Sequence, residues 1–458
     1  MVTRQLPEPP ARVHMIGIGG VGVSGLARML ASRGYQVSGS DSSQSPIVDA
    51  LRAEGIDVRI GHAAEHVGDA ELVIATAAVG ETNPEIAEAR ARGIAVVKRA
   101  AVLGMLANPA QCLAVAGSHG KSTTSGMAAF VLDLAGLQPS FAVGATVSGL
   151  ATNARLGNGP HFVVEADEYD HSFLWLQPTV AIVTNIEHDH PDIFPALDDV
   201  LSAFERFATG IRDGGTLVIA ADDPGALQLV DRLSGSDHPR IVSYGWGTGD
   251  WQVVEYSVGA ARVRSPLGQM FELRLAVPGR HNVSNALAVL AASEALGVDP
   301  STLIPHLAAF TGVGRRFDVQ VDSPERTVID DYAHHPTEIA ATISAARDRY
   351  ADRRLLAVFQ PHTFSRTHSL LGEFAAALDA ADEVILAEIY PAREVNTFDV
   401  ASADIAALMT SPTSLAASPA DATRLVRERF QAGDVVLVMG AGDIYQTSQA
   451  LAESETSL

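Results

Sequence analysis

Cys112-Leu-Ala-Val-Ala-Gly-Ser-His-Gly-Lys-Ser-Thr-Thr124 reads as a buried strand, a glycine loop and a helix start. Gly117 and Gly120 let the backbone turn tightly and aim its N–H groups inward around Ser118 and His119. Lys121 adds a cation, and Ser122 a hydroxyl where a phosphate-bound Mg2+ would sit, with Thr123 beside it. The helix expected from Ser122 to Leu134 contributes the positive end of its dipole. The stretch is a triphosphate cradle. It departs from G-x-x-x-x-G-K-[ST] because Val115 takes the first glycine position, and this shorter form is less general.

Outward from the loop, the same plan recurs. His161-Phe-Val-Val-Glu-Ala-Asp-Glu-Tyr-Asp170 is a strand running into Glu165, Asp167, Glu168 and Asp170. Val180-Ala-Ile-Val-Thr-Asn-Ile-Glu-His-Asp-His190 is another, running into Asn185, Glu187, His188, Asp189 and His190. Two strands of one parallel sheet would deliver both sets to the edge carrying the phosphate loop. Carboxylates and imidazole beside a triphosphate mean Mg2+, which takes one or two carboxylates plus phosphate oxygens. Zinc competes for His188 and His190, without cysteine or helical His spacing in support. The alternative for Asp167 and Glu168 is a solvated loop. Further on, Asn282 and Asn285 share one face of the helix opened by Pro278-Gly-Arg-His, where their amides can read a heterocycle edge. Gly312-Val-Gly-Arg-Arg-Phe-Asp318 is a glycine hinge with paired arginines. Val328 onward and Leu355 onward are strands entering Asp-Tyr-Ala-His-His-Pro-Thr-Glu338 and Gln-Pro-His-Thr-Phe-Ser-Arg-Thr367.

Toward the N-terminus, Gly17, Gly19 and Gly22 fit G-x-G-x-x-G, and Asp41 follows 19 residues after Gly22. A hydride-transfer enzyme therefore stays open. The physics asks only for a diphosphate on a helix N-terminus and an acid near a ribose, and a UDP-sugar has both. Apolar runs at Leu72–Ala75 and Ile94–Val97 follow helical stretches, as in a doubly wound sheet. His62 and the Thr76–Val79 turn fall at the ligand-binding ends. A plain surface histidine is the alternative at position 62.

The 458 residues suit two to four domains. A formal charge of −22 disfavours nonspecific nucleic-acid binding and attachment to anionic membranes. One cysteine, Cys112, rules out an intrachain disulfide framework and suits a reducing cytoplasm. Residues 1 to about 10 read as a loose tail without a signal-peptide core, and no apolar run is long enough for a bilayer.

Gly-Ser-His-Gly-Lys-Ser, Glu-Ala-Asp-Glu, Thr-Asn-Ile-Glu-His-Asp-His, His-Asn-Val-Ser-Asn-Ala, Gly-Arg-Arg-Phe-Asp and the two histidine-rich stretches above together resemble the Mur ligases, from Gly17 to about Gly442. The resemblance implies a three-domain α/β fold. It comprises an N-terminal Rossmann-like domain (11–107) for the UDP-substrate, a central P-loop ATPase-like domain with a mostly parallel sheet (108–312), and a C-terminal Rossmann-like domain (313–458). The first-segment glycines and the stretches around His334 and His362 are similar to the branch of the family that adds L-alanine to UDP-N-acetylmuramate at the cost of ATP. The later-acting branches commonly carry a carbamylated lysine after the histidine loop, and residues 192–207 contain no lysine. By resemblance, Lys121 holds the β/γ-phosphates within the Gly117–Thr123 loop. Ser122 and Glu165 ligate one Mg2+, and His190 helps ligate a second. Asn282 and Asn285 read adenine, Arg316 reaches the γ-phosphate, and Asp331 binds the ribose. Gly19, Gly20 and Ser24 meet the diphosphate, with Asp41 and His62 toward uridine. His334, His362 and Arg366 serve the muramyl and alanine end, with Arg366 forking onto the alanine carboxylate. It also implies a cytoplasmic monomer or weak dimer.

Three rivals remain at this point: a nicotinamide dehydrogenase on the Gly17 fingerprint, a non-catalytic nucleotide-binding module, and a sister ligase taking another amino acid or a peptide. Lys121→Ala is expected to abolish ATP-dependent phosphate release with the fold intact. Phosphate release and circular dichroism on one preparation check this, and near-normal turnover would remove the cradle from the mechanism.

Overall fold

The computed structural model describes residues 5–76, 79–191, 193–235 and 238–453. Residues 1–4 of the expected tail, and Ala77 and Ala78 of the Thr76–Val79 turn, lie outside the described residues. Among the described residues three sheets form, of five, ten and six strands in chain order. The first is wholly parallel. Arg12–Ile16 lies at its centre, flanked by Gln36–Asp41 and Leu72–Ala75, with Asp57–Ile60 and Ala95–Lys98 outermost. The last of these sits one residue beyond the expected Ile94–Val97. Ile94 is held back by its N–H, which donates to Ala89 O at the end of the preceding helix, with Gly93 at φ 73°.

The central sheet puts Gln111–Ala116 between Val180–Val183 and His161–Glu165, all parallel. The loops that follow these three strands therefore leave from the same edge. Alternation along Gln111–Ala116 explains the placement. Cys112, Ala114 and Ala116 face one apolar cluster, and Leu113 and Val115 face another. Covered on both faces, the strand has no polar alternation to show, which is why it reads as a continuous apolar run. Antiparallel strands close the two ends of this sheet. The third sheet runs antiparallel only between Asp318–Asp322 and Thr327–Asp331.

The clusters divide the chain unequally. One runs without a break from Ala11 through Leu103 and Leu106 into Phe162, Phe173 and Phe204. The first segment and one face of the central sheet thus share a core. The opposite face of the central sheet packs on Val283–Ala292 and ends at Val313. The third segment keeps two clusters of its own, beginning at Phe317. Gly312, at φ 109°, with Arg315 at 58° and Phe317 at 49°, marks the joint. Left-handed backbone at two bulky residues is held there by Gly314 N–H to Thr146 O (2.9 Å), Tyr332 N–H to Arg315 O (2.7 Å) and Phe317 N–H to Asp331 Oδ2 (2.7 Å). Among the described residues no helix is long and apolar enough to cross a membrane.

Phe173 follows the acidic loop directly and stacks on Phe207 (centroids 4.8 Å, planes 3° apart), with Phe204 edge-on. Phe173→Ala is expected to cost about 3–5 kcal/mol. Because the same residue anchors the Asp167–Asp170 turn, the variant should also lose turnover at temperatures where it stays folded. Urea unfolding and activity, measured side by side, check both.

Candidate active site

The phosphate loop is shaped by what it must avoid. A Cβ on Gly117 would collide with Thr184 Oγ1, so the loop lies tight against the end of the neighbouring strand. Gly120, at φ 83°, turns the chain into the helix Lys121–Leu134. Asn185 clamps the tip, accepting from His119 N–H (2.8 Å) and donating to His119 O (3.1 Å). Lys121 Nζ curls back onto Gly117 O (2.6 Å), Ser118 O (3.0 Å) and Glu168 Oε1 (2.9 Å). Glu168 is not on a solvated loop. It is buried, and burial pushes its carboxyl up to about 7 against the pull of the ammonium. Burial favours the neutral amine at Lys121, but Glu168, Asp167 and Glu165 outweigh it and hold the charge.

Ser122 Oγ donates to Glu165 Oε1 (3.0 Å), and Glu165 Oε2 accepts from Gly144 N–H (2.6 Å). These are hard oxygen donors at the base of a phosphate loop, the set Mg2+ prefers. His190, at φ 54°, stands with Nε2 3.7 Å from Glu168 Oε1. Burial lowers its pKa and leaves the lone pair free. Glu168 Oε2 is buried without a hydrogen-bond partner, a donor suited to a cation beside His190. The expected pair thus meets at Ser122 and Glu165, while His190 lies nearer Glu168, which the sequence reading gave no metal role.

Two clefts open here. One lies between the central and third segments and is lined by Gly120, Ser122, Thr123, Asn282, Asn285, Arg316 and Asp331, with Val277 and Phe317 supplying apolar wall. The seven positions named first were expected around ATP. Their present bonds refine the expectation. Asn282 donates to Pro278 O (2.6 Å) and accepts from Asn285 Nδ2 (3.2 Å), so its amide is already engaged. Asp331 caps the hinge through Phe317 N–H and Ala333 N–H, both at 2.7 Å. Arg316 lies over Tyr332 (5.0 Å) and 3.4 Å from Glu338 Oε1. The other cleft lies between the first and central segments and is lined by Gly20, Gly22, Arg99, Gly144, Asn153, Glu165 and Asp167. Arg99, whose guanidinium covers Gly22, carried no motif and was missed.

Other expected contacts look different in the structure. Ser24 is buried and donates to Val21 O (3.0 Å) in its own first helical turn, so its hydroxyl does not face a diphosphate. Asp41 Oδ2 accepts from Gly19 N–H (2.9 Å) and orders the glycine turn. His62 bonds Glu85 Oε1 (3.0 Å), and His14 (2.8 Å) and Ser40 (2.7 Å) bond Glu85 Oε2. Arg366 is buried with Nε (3.1 Å) and Nη2 (2.6 Å) on Asp189 Oδ1. The fork expected for a carboxylate ligand is therefore occupied by this chain's own carboxylate. His334 and His362 do come together beside it, ring centroids 5.8 Å apart. Arg366 Nη1 is 3.4 Å from His362 Nδ1, and His362 stacks on Tyr390.

Known proteins bear on this arrangement. Residues 12–111 match the family model described as Mur ligase family, catalytic domain; 115–293 match the Mur ligase middle domain; and 315–442 match the Mur ligase, glutamate ligase domain. The UDP-N-acetylmuramate–L-alanine ligase of Mycolicibacterium vanbaalenii is 44% identical over 96% of this chain and 95% of its own. That of Streptomyces coelicolor is 45% identical over 96% of each. The crystal structure of UDP-N-acetylmuramate-alanine ligase from Thermotoga maritima superposes with a TM-score of 0.82 at 31% identity, covering 96% of this chain and 98% of that one.

Although burial pushes the Glu85 carboxyl up, hydrogen bonds from His14, Ser40 and His62 hold it down at about 2. A depressed carboxylate stabilises the fold fully above its ordinary value of 4.5 and ceases to do so as pH falls through about 2. Glu85→Gln is expected to destabilise by about 1–3 kcal/mol at neutral pH. The gap from the parent should close between pH 4.5 and 2. Urea unfolding of both proteins across that range checks it.

Proposed function

This chain belongs to the Mur ligase family, and we propose that it joins L-alanine to the carboxylate of UDP-N-acetylmuramate with cleavage of ATP to ADP and phosphate. Identity of 42–45% to ligases of that name over nearly the whole chain supports the substrate set. The observation that carries the chemistry is the Ser122–Glu165 hydrogen bond. Ser122 lines the cleft between the central and third segments, and Glu165 lines the cleft between the first and central ones. A nucleotide in the former and a UDP-sugar in the latter would meet at this pair.

A free carboxylate resists attack by an amine. Transfer of the γ-phosphoryl group to the muramyl carboxylate makes an acyl phosphate and ADP, and the alanine amine then displaces phosphate to form the amide. Positioning and charge neutralisation are what such a transfer needs from the protein. Lys121 is assigned to the β/γ-phosphates, where the loop carbonyls and Glu168 already aim its stem. Asn285, with its carbonyl directed at Gly120, and the Val277–Phe317 wall are assigned to the base. Arg316 is assigned to the γ-phosphate from across the domain gap. Gly19 and Gly20 take the diphosphate on the helix Val21–Ser32, with Arg99 alongside. Ser122 and Glu165 would hold one Mg2+, and His190 with Glu168 a second. When bound, the cations neutralise charge on the transferring phosphoryl group. His334 and His362 are assigned to the alanine end. Arg366 reaches an alanine carboxylate only by exchanging Asp189 for it. We take the functional units as 11–107, 108–312 and 313–458, and assign the protein to the cytoplasm as a monomer or weak dimer.

Purified protein given ATP, Mg2+ and UDP-N-acetylmuramate should release ADP and phosphate with L-alanine, with a higher kcat/KM than with glycine or L-serine. Mass spectrometry should find the alanyl product. Product formed only with a tripeptide would reassign the chain to a peptide-adding branch.

A further inference from the structure

His119, Glu187 and His335 stand together where the third domain meets the phosphate loop; His119 also lines the nucleotide cleft, but the chemistry above gives the three no joint role. Among the described residues they are the only set of three or more potential metal-binding side chains with ligand atoms all within 4.8 Å of one another. His119 Nε2 is 3.1 Å from Glu187 Oε2, and His335 Nδ1 is 3.5 Å from the same oxygen. A tetrahedral ion with ligand bonds of about 2.0–2.1 Å separates its ligands by about 3.3–3.4 Å. Both histidines thus stand from the carboxylate oxygen at the separation that neighbouring ligands of such an ion take.

We propose that His119, Glu187 and His335 form a site for a divalent transition metal, separate from the Mg2+ positions, which ties the third domain to the phosphate loop. Two imidazoles and one carboxylate suit zinc, cobalt or nickel far better than magnesium. The surroundings fit as well. A ligating histidine commonly donates its other ring N–H to a carboxylate, and His119 Nδ1 is 3.3 Å from Glu338 Oε1. Glu338 is itself fixed by accepting from His334 N–H (3.0 Å). Both histidines are buried, while the Glu187 side chain is one-third exposed, which leaves an ion a way in from solvent. On binding, the ion would take the place of the proton that His119 Nε2 shares with Glu187 Oε2, and that proton would leave to solvent.

The three ligands come from two domains. His119 in the phosphate loop and Glu187 after the strand Val180–Val183 belong to the central domain, and His335 opens the helix Pro336–Arg349 of the third, where its Nδ1 would exchange the long bond it accepts from Thr337 N–H (3.4 Å) for the ion. Occupancy holds the third domain closed on the central one without nucleotide.

Nucleotide-free, full-length protein in saturating Mg2+, titrated with Co2+, should bind one ion per chain and develop visible ligand-field bands. Glu187→Gln and His335→Ala should each lose the bands, with folding checked by circular dichroism. Glu338→Gln should weaken binding roughly 10–100-fold. Glu165→Gln and His190→Ala should keep the bands, since those residues belong to the Mg2+ positions. The proposal is overturned if the parent shows no saturable bands, if Glu187→Gln and His335→Ala both titrate like the parent, or if only Glu165→Gln or His190→Ala abolishes the signal.

Discussion

Lys121 and Glu168 meet 2.9 Å apart in the interior, and the pair holds two loops in register. Neither loop has a reason to sit where it does without the other. The phosphate loop is a turn between apolar elements, and the acidic turn follows a strand whose side chains are committed to the core. Desolvating two charges is costly, and removing one partner of a buried pair typically costs about 3–5 kcal/mol because the other is stranded. The geometry tolerates this because the ammonium also meets two loop carbonyls, and because burial leaves the carboxyl able to take a proton near neutrality. A phosphate arriving at Lys121 can displace Glu168, whose carboxylate is then free for the cation assigned beside His190. The lysine is thus kept oriented by a group that is simple to displace.

Apolar packing decides which parts move. The first segment shares a continuous core with the central sheet, so that cleft is walled by rigid elements. The third segment's clusters begin at Phe317 and include nothing from the central domain, whose own cluster stops at Val313. Across this gap the contacts are polar: Arg366 with Asp189, Thr337 with Glu187, and His119 with Glu338. Polar interfaces of this kind open and close at low cost, whereas burying a shared core would fix the angle. The strained joint from Gly312 to Phe317 lies at this gap, and it carries Arg316. On the proposed assignment of Arg316, closing the gap and delivering that cation would be one event.

The fold and the loop chemistry were legible because they are local. An apolar run, two glycines, a lysine and a hydroxyl are contiguous at 112–124, and the strand-then-acid pattern repeats at 161–170 and 180–190. Pairings between distant loops were not. Arg366 looks like a free fork in its own stretch, and only the fold shows that Asp189, 177 positions away, fills it. Glu168 is one acid among several in sequence, and its burial follows from Phe173 being pulled into the core next door. His62 sits at a ligand-binding strand end, yet Glu85 from another helix claims it. Arg99 belongs to no motif, because its place beside the glycine turn is set by the packing of Arg99–Ala107. Periodicity and motif spacing report on neighbours along the chain and are silent on such contacts.

These pairings also explain how a chain of charge −22 can accept several anionic ligands. The overall field repels them, so attraction must be local. The cations that line the centre are screened in the free protein: Lys121 by Glu168, Arg316 by Glu338, Arg366 by Asp189. Two of the screening carboxylates have a second set of partners to fall back on. Glu338 has His334 and His119, and Asp189 has the His190 amide. A ligand phosphate or carboxylate can then exchange places with the chain's own carboxylate, charge for charge. Exchange changes the local net charge little, so the unfavourable global field enters as a modest, salt-screened term. Cations brought with the nucleotide reduce it further. Selectivity follows from the same arrangement, since an anion that cannot match the geometry of the displaced carboxylate leaves the original pair in place.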